Sequence, residues 1–315
     1  MNQETGADNN LLGEETRKIY HEQHNRLNAD EIARARIHSM YTERYFELPD
    51  GYFSKNGGRV CLDAGCGNMA VLMIRLLAFG VKEVHGIDLG EDWIPHATRE
   101  LQQSGNYEGK YFFKSGDVLN IPYDDEHFDF VACNGVLVHL ANLSDVEKAF
   151  SECMRVLKKG GWLYTSYGTV GGILEGVIFP ALREHYKNNE EFKTFIDNIK
   201  TLDFENLLNK IDTELKSRGG EDVDCLSALK YFDEDFCVYL QNVLQPPSRL
   251  HQQCSSEYVN SLYERTGLGN IRRLKRYVTR NNVRKFFAPL HYDRDHKWSK
   301  ILYGEGSVEY IGQKK

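Results

Sequence analysis

The chain has 315 residues, enough for one large α/β domain or for a core domain with a helical appendage. Its formal net charge of −7 argues against a general nucleic-acid binder, which normally carries a basic excess. The seven cysteines are scattered without a CxxC pair, which predicts free thiols, a reducing compartment and no metal site. Neither a secretory signal nor an apolar run of membrane-spanning length is evident, so we expect a cytoplasmic protein.

A polar stretch precedes the first apolar run of the chain. Residues 1–13 lack periodicity and are predicted to be a poorly ordered tail. Residues 14–54 are predicted to form an N-terminal helical cap, amphipathic up to Glu47 and ended by turn residues. Tyr20, Tyr41 and Tyr45 are among the candidate inward positions of this cap.

Between residues 55 and 168, short apolar runs alternate with helical patterns, which predicts a parallel sheet. The predicted strands are Val60–Leu62, Glu83–Ile87, Lys110–Lys114, Phe128–Cys133 and Trp162–Ser166. The predicted helices are Met69–Phe79, Asp92–Gln103 and Asp145–Leu157. Ser144 is the predicted cap of the third helix, and Lys158–Gly161 its predicted stop.

The strand–helix alternation ceases after Gly171, and helical patterns dominate residues 169–253. This insert has predicted helices at Ile173–Tyr186, Glu190–Lys200, Phe204–Ser217 and Cys225–Leu244. Residues 254–315 are predicted to complete the core with a helix and two strands, at Ser255–Thr266, Arg273–Thr279 and Ser307–Ile311.

A glycine-containing loop follows the first predicted strand, with the sequence Asp63-Ala64-Gly65-Cys66-Gly67-Asn68. Glycines here allow a tight turn and the close approach of a ligand to the backbone. The loop leads into a helix, whose N-terminus favours a carboxylate or a phosphate. Taken alone, the loop also fits a nicotinamide or flavin site.

Three carboxylates lie at successive strand ends and limit which cofactor the glycine-containing loop can bind. Asp63 is placed to accept a hydrogen bond from an ammonium group, and Asp88 to accept both hydroxyls of a ribose. Asp117 follows the third strand, where it can accept a hydrogen bond from an adenine amino group. A nicotinamide dehydrogenase is the weaker alternative, because it does not explain Asp63.

With the stretches Ile121–Val131 and Val156–Gly161, this pattern resembles the class I S-adenosylmethionine (SAM)-dependent methyltransferases over residues 55–168. Within that superfamily the chain looks most like the small-molecule methyltransferases. Met69 is a departure, since many members carry a glycine there. The resemblance implies an α/β, Rossmann-like seven-stranded sheet of order 3-2-1-4-5-7-6, with N-terminal helices and a helical lid inserted after strand 5.

The resemblance also implies SAM as the cofactor and S-adenosylhomocysteine as the product. The reaction it implies is transfer of a methyl group to an N or O atom of a small metabolite. The implied cofactor-binding residues are Asp63, Gly65, Cys66, Gly67, Asn68, Asp88, Leu89, Asp117, Val118 and Asn134.

The acceptor side has weaker candidates. His139 follows the fourth strand, where the family builds its acceptor-facing wall, and histidine suits general-base work near neutrality. The alternative is a histidine that caps the following loop. Candidate substrate-facing aromatics are Tyr20, Tyr41, Tyr45, Tyr167 and Tyr186, with ordinary packing as the alternative for each.

A cluster of basic residues at 272–285 admits three interpretations: recognition of an acidic acceptor, contact with RNA, or a solvated strand edge. Two alternatives of other classes therefore stay open. One is a methyltransferase that modifies RNA, such as tRNA, and the other is a non-catalytic SAM-binding partner subunit. A homodimer through the helical insert is a further expectation.

Overall fold

The computed structural model describes residues 42–167, 171–199, 203–218, 240, 244, 254–274, 296–304 and 308–315. These residues include a seven-stranded sheet of order β3-β2-β1-β4-β5-β7-β6, which confirms the predicted order. Only β7 runs antiparallel to its neighbours, β5 and β6. The strands are β1 Val60–Ala64, β2 Glu83–Asp88, β3 Lys110–Ser115, β4 Phe128–Asn134, β5 Leu157–Tyr167, β6 Leu268–Arg273 and β7 Val308–Lys314.

Helices cover both faces of the sheet. On β4, Phe130 and Ala132 face one apolar cluster and Val131 and Cys133 the other, because successive side chains of a strand point to opposite faces. None of the described helices is both long and apolar enough to cross a bilayer. The helices are α1 Val71–Ala78, α2 Ile94–Ser104, α3 Leu143–Val156, α4 Phe179–Asn188, α5 Glu190–Asp197, α6 Phe204–Ser217, α7 Ser256–Arg265 and α8 Lys297–Tyr303.

Among the helix starts that differ from the prediction, those of α1 and α3 have a clear local cause. Helix α1 begins at Val71 rather than Met69, because Ala70 takes the left-handed conformation (φ 48°) and turns the chain first. Helix α3 is capped by Asn142, whose side chain accepts the backbone N–H of Asp145. The predicted cap, Ser144, instead donates its hydroxyl to Oδ1 of Asn142 at 2.6 Å.

Strand β5 begins five residues earlier than predicted, and Lys158–Gly161 lies inside it rather than ending the helix. The register explains the difference. Leu157 pairs with Phe128 and Trp162 with Phe130, so the extra residues of β5 form an irregular bulge. Gly160, at φ 75°, supplies the left-handed turn that this bulge requires.

Beyond β5, the predicted helix Ile173–Tyr186 is divided into a π-helical turn at Leu174–Ile178 and helix α4. Pro180 lies in the first turn of α4, directly after the π-helical turn. Strand β6 runs from Leu268 to Arg273 and pairs with β7, whereas most of the strand predicted at Arg273–Thr279 lies outside the described residues.

Several predictions fall outside the described residues. They concern the tail and helices of residues 1–41 with Tyr20 and Tyr41, most of the helix at 225–244, and the basic residues from 275 onward. The described part of the N-terminal cap, residues 42–54, contains a 3₁₀ turn, Glu43–Phe46, that packs against the sheet through buried Tyr45 and Phe46.

Candidate functional site

The loop after β1 is fastened to the end of β2. The backbone amides of Gly65 and Cys66 both donate to the carbonyl oxygen of Ile87, at 2.8 and 3.0 Å. The amide of Gly67 donates to Oδ2 of Asp88 at 2.8 Å. The loop therefore has a fixed shape at the carboxyl edge of the sheet, and a carboxylate side chain helps to define it.

Position 65 requires a glycine for two independent reasons. Its φ of 84° lies in the left-handed region, and a Cβ there would lie 2.1 Å from Cγ2 of Val136. Val136 belongs to the loop after β4, so the loops after β1 and β4 touch. These neighbouring strands lie where the strand order reverses, the position at which open α/β sheets bind ligands.

Asp63, the first carboxylate, is almost fully buried, with 2% of its surface exposed. Burial, and secondarily the negative charge of Asp88, raise the pKa of Asp63 to about 8. A cationic group bound beside Asp63 would oppose both effects and favour its ionised form. The site therefore fits a ligand that carries an ammonium group.

Asp88, the second carboxylate, ends β2 and is half-buried. Its Oδ1 accepts the backbone N–H of Leu89 at 2.8 Å. Within the loop after β1, Cys66 and Asn68 are both buried. Burial raises the pKa of the Cys66 thiol well above its ordinary value, so Cys66 is a packing residue rather than a reactive thiolate.

Asp117, the third carboxylate, is exposed in the loop after β3, while Val118 beside it is buried. This loop is held by Arg155 of α3, whose guanidinium donates to the carbonyl oxygens of Ile121 and Tyr123 at 2.8 Å each. Arg155 was not among the predicted site residues. It fixes the loop that presents Asp117.

A polar cluster, here called the Asn134 cluster, surrounds the end of β4. Oδ1 of Asn134 accepts the hydroxyl of Ser166 at 2.6 Å and lies 3.5 Å from the hydroxyl of Tyr164. The Tyr45 hydroxyl lies 3.5 Å from that of Tyr164 and donates a hydrogen bond to the buried carboxylate of Glu309. The cluster thus joins β4, β5, β7 and the N-terminal segment.

Three members of the Asn134 cluster were not predicted from the sequence. Tyr164 and Ser166 alternate along a predicted strand, so they share a face that ends beside Asn134. Glu309 is a carboxylate in a strand whose neighbouring residues are apolar, and it is 5% exposed. The sequence feature that could have indicated Glu309 is a charged residue within an otherwise apolar strand pattern.

His139 ends a 3₁₀ turn, Leu137–His139, and its backbone amide donates to the carbonyl of Val136 at 2.9 Å. It therefore belongs to the loop that touches Gly65. Tyr167 is 1% exposed and lies in the core on the other face of the sheet. Tyr186 donates to Asp197 at 2.7 Å, linking α4 and α5. The structure does not bring these two tyrosines into the Asn134 cluster.

Comparison with known proteins identifies a domain around these residues. Residues 62–165 match a family model described as a methyltransferase domain. The ubiquinone biosynthesis O-methyltransferase of Nitrosospira multiformis is 27% identical over 143 residues, which cover 44% of this chain and 56% of the relative. Phosphoethanolamine N-methyltransferase 2 of Caenorhabditis elegans is 30% identical over 140 residues, 44% of this chain and 28% of the relative. The chain thus spans about half or less of these relatives.

A solved structure from Thermotoga maritima, described as a SAM-dependent methyltransferase and possible histamine N-methyltransferase, aligns with 95% of this chain and 99% of its own. Its sequence identity is 17% and its TM-score 0.46. The segment that matches the family model begins in β1 and ends in β5, so it contains Asp63, Asp88 and Asp117. Residues 62–165 are therefore a methyltransferase domain of the class I SAM-dependent family, whose cofactor is S-adenosylmethionine.

Proposed function

We propose that this protein transfers a methyl group from SAM to an N or O atom of a small metabolite and releases S-adenosylhomocysteine. The observation that carries the proposal is the pair of carboxylates, Asp63 and Asp88, at the carboxyl ends of neighbouring strands. The loop between β1 and α1 is tied to Asp88 through the backbone amide of Gly67. A buried acid beside an open glycine turn suits the ammonium and carboxylate of a methionine moiety.

Each part of the cofactor has its own residues in this proposal. Asp63 pairs with the ammonium group, and Gly65 and Gly67 let the methionine moiety approach the backbone. Asp88 accepts the ribose hydroxyls, and Asp117 the adenine amino group. The remaining contacts are assigned to Cys66, Asn68, Leu89, Val118 and Asn134.

When bound, SAM supplies an electrophilic methyl group on a sulfonium. The protein's main task is then alignment, because methyl transfer is an in-line displacement. Asn134 lies at the end of β4, on the proposed sulfonium side, and its amide is held by Ser166 and Tyr164. A fixed amide at that point restricts how an acceptor can approach.

The acceptor atom determines whether a base is needed. A nucleophile that must lose a proton requires one, and His139 is the proposed base. The names of the two relatives include an O-methyltransferase and an N-methyltransferase, so both acceptor atoms stay within the proposal. We assign the cap at 14–54 and the insert at 169–253 to enclosure of the acceptor, with Tyr45 as a candidate acceptor-facing aromatic of the cap.

The test incubates the full chain with methyl-labelled SAM and a metabolite extract, in parallel with total RNA. Label in a small molecule, absent when Asp88→Ala replaces the wild type, would support the proposal. Label in RNA would contradict it in favour of the RNA-modifying alternative. Binding of SAM in calorimetry without label in either fraction would favour a non-catalytic subunit, and binding of NADH instead of SAM would overturn the assignment.

A further inference from the structure

Strand β6 carries a bulge that changes which side chain faces the interior. Gly269 pairs with Gln313 and Arg272 with Ile311, so three steps along β6 match two along β7. Asn270, inside the bulge, takes the left-handed conformation at φ 49°. Regular alternation from Gly269 would place Ile271 opposite Ile311. The bulge places Arg272 there instead, so a strained backbone positions an arginine on the face of the sheet that carries Trp162 and Ile311.

The guanidinium of Arg272 lies over the indole of Trp162, with Cζ 5.1 Å from the ring centroid. Its Nε and Nη2 are buried and have no hydrogen-bond partner within the described part of the chain. The N–H groups of these two nitrogens point in the same direction and form the edge that binds both oxygens of a carboxylate. Burial of charged donors without an acceptor is unfavourable. An oxyanion bound at this edge would supply the missing acceptor and thereby stabilise the folded protein.

A pocket of about 520 Å³ adjoins this arginine. Its walls come from the N-terminal segment at Glu47–Pro49, from Trp162 of β5 and from residues 270–272 of β6. The volume is in the range of small-molecule sites. Among the described residues of the wall, Glu47 is the charged side chain besides Arg272, and its negative charge disfavours a multiply charged anion such as phosphate.

We propose that this pocket binds a small organic monocarboxylate. The two carboxylate oxygens accept the N–H groups of Arg272 Nε and Nη2, and the apolar part of the ligand packs against Leu48, Pro49 and Ile271. Both nitrogens are buried in this structure, so the groups around them must shift when the ligand enters. The site is separate from that of methyl transfer, because Trp162 precedes Ser166 along β5 and lies away from the carboxyl edge of the sheet.

The test titrates the full chain with sodium benzoate, benzamide and sodium phosphate, and follows heat release and the thermal midpoint. Benzamide has the shape of benzoate without its charge. Millimolar benzoate is expected to bind and raise the midpoint, while benzamide and phosphate do neither. No binding of benzoate, or equal binding of benzamide or phosphate, would overturn the proposal.

Two arginine variants locate the binding. Arg272→Lys keeps the positive charge but loses the pair of parallel N–H donors, and it is expected to weaken benzoate binding at least about tenfold. Arg273→Lys is the matched control, since Arg273 donates to Ser256 instead, and it should leave the affinity unchanged. Asp88→Ala should also leave it unchanged, which separates this pocket from the cofactor site. Wild-type affinity in Arg272→Lys, or lost affinity in Asp88→Ala, would refute the assignment.

Discussion

The backbone amide of Gly67 donates a 2.8 Å hydrogen bond to Oδ2 of Asp88 and joins the loop after β1 to the end of β2. This makes Asp88 a structural acceptor as well as the proposed ligand of the ribose. A substitution there therefore acts on the shape of the loop and on the ligand together.

Replacing Asp88 is expected to weaken SAM binding. Loss of hydrogen bonds to a charged group costs about 1.5–3 kcal/mol, which is roughly a tenfold to hundredfold loss of affinity. Asp88→Asn should lose less than Asp88→Ala, because the amide oxygen can still accept the Gly67 N–H. Calorimetric titration measures both, with Asp124→Ala, an exposed loop carboxylate, as the control. An unchanged affinity in Asp88→Ala would remove Asp88 from the site.

SAM binding should depend on pH through Asp63. The pKa of this carboxyl is raised to about 8, so it is mostly protonated in the free protein at neutral pH. Pairing with an ammonium group requires the ionised form, so binding releases a proton. Affinity should then rise from pH 6 towards pH 8 by up to about tenfold per pH unit. Calorimetry in two buffers of different ionisation enthalpy counts the proton, and Asp63→Asn should abolish its release.

The same carboxyl affects stability in the opposite direction. Its pKa is higher in the folded protein than the ordinary 3.8, so the folded state binds more protons than the unfolded state between these values. The free energy of unfolding should therefore fall as pH rises towards about 8. Urea unfolding of the wild type and Asp63→Asn at pH 6 and pH 8 isolates this contribution. An identical pH dependence in both proteins would show that Asp63 does not titrate in this range.

Gly65→Ala should destabilise the protein more than Gly135→Ala. Both glycines have positive φ, at 84° and 71°, so both variants pay about 1–2 kcal/mol for the left-handed backbone. Only at Gly65 does the new methyl group also collide with Val136, which adds about 1–3 kcal/mol. Chemical unfolding measures the difference. Val136→Ala should rescue part of the Gly65→Ala loss, and equal losses in the two glycine variants would exclude the collision.

Once an acceptor is identified, His139→Gln tests the proposed base. If the nucleophile loses a proton to His139, kcat should fall by about 10²–10⁴-fold while SAM affinity stays unchanged. His127→Gln is the control, because His127 precedes β4 at the opposite end from Asn134. An unchanged kcat and pH profile in His139→Gln would assign His139 to the alternative role, capping of its loop.

The family resemblance predicted the sheet order, and the sequence pattern predicted the approximate places of the strands, because each parallel strand is a short apolar run between turn residues. The ends of elements were harder to predict. Ser144 and Asn142 are both good helix caps, and only the extended backbone of Asn142 decides between them. Lys158–Gly161 has the composition of a helix stop, yet its register with β4 makes it part of a strand.

The site residues that belong to neighbouring strand ends could be predicted from the sequence. Those brought together by strands that are distant in the chain could not. Asp63 and Asp88 follow adjacent apolar runs, so their common edge was evident from the pattern. The contact of Glu309 with Tyr45 depends on β7 pairing with β5, which local sequence does not specify. Likewise, Arg272 faces the interior only because of the bulge in β6.

The position of β7 determines the order in which the sheet can be assembled. It follows β6 in the chain but lies between β5 and β6, so β6 cannot join the sheet until β7 has been synthesised. Until then the edge of β5 is unpaired and open to pairing with other chains. A nascent or truncated chain that stops before Val308 would therefore expose β5 and leave Tyr45 without its carboxylate partner, and such chains should aggregate.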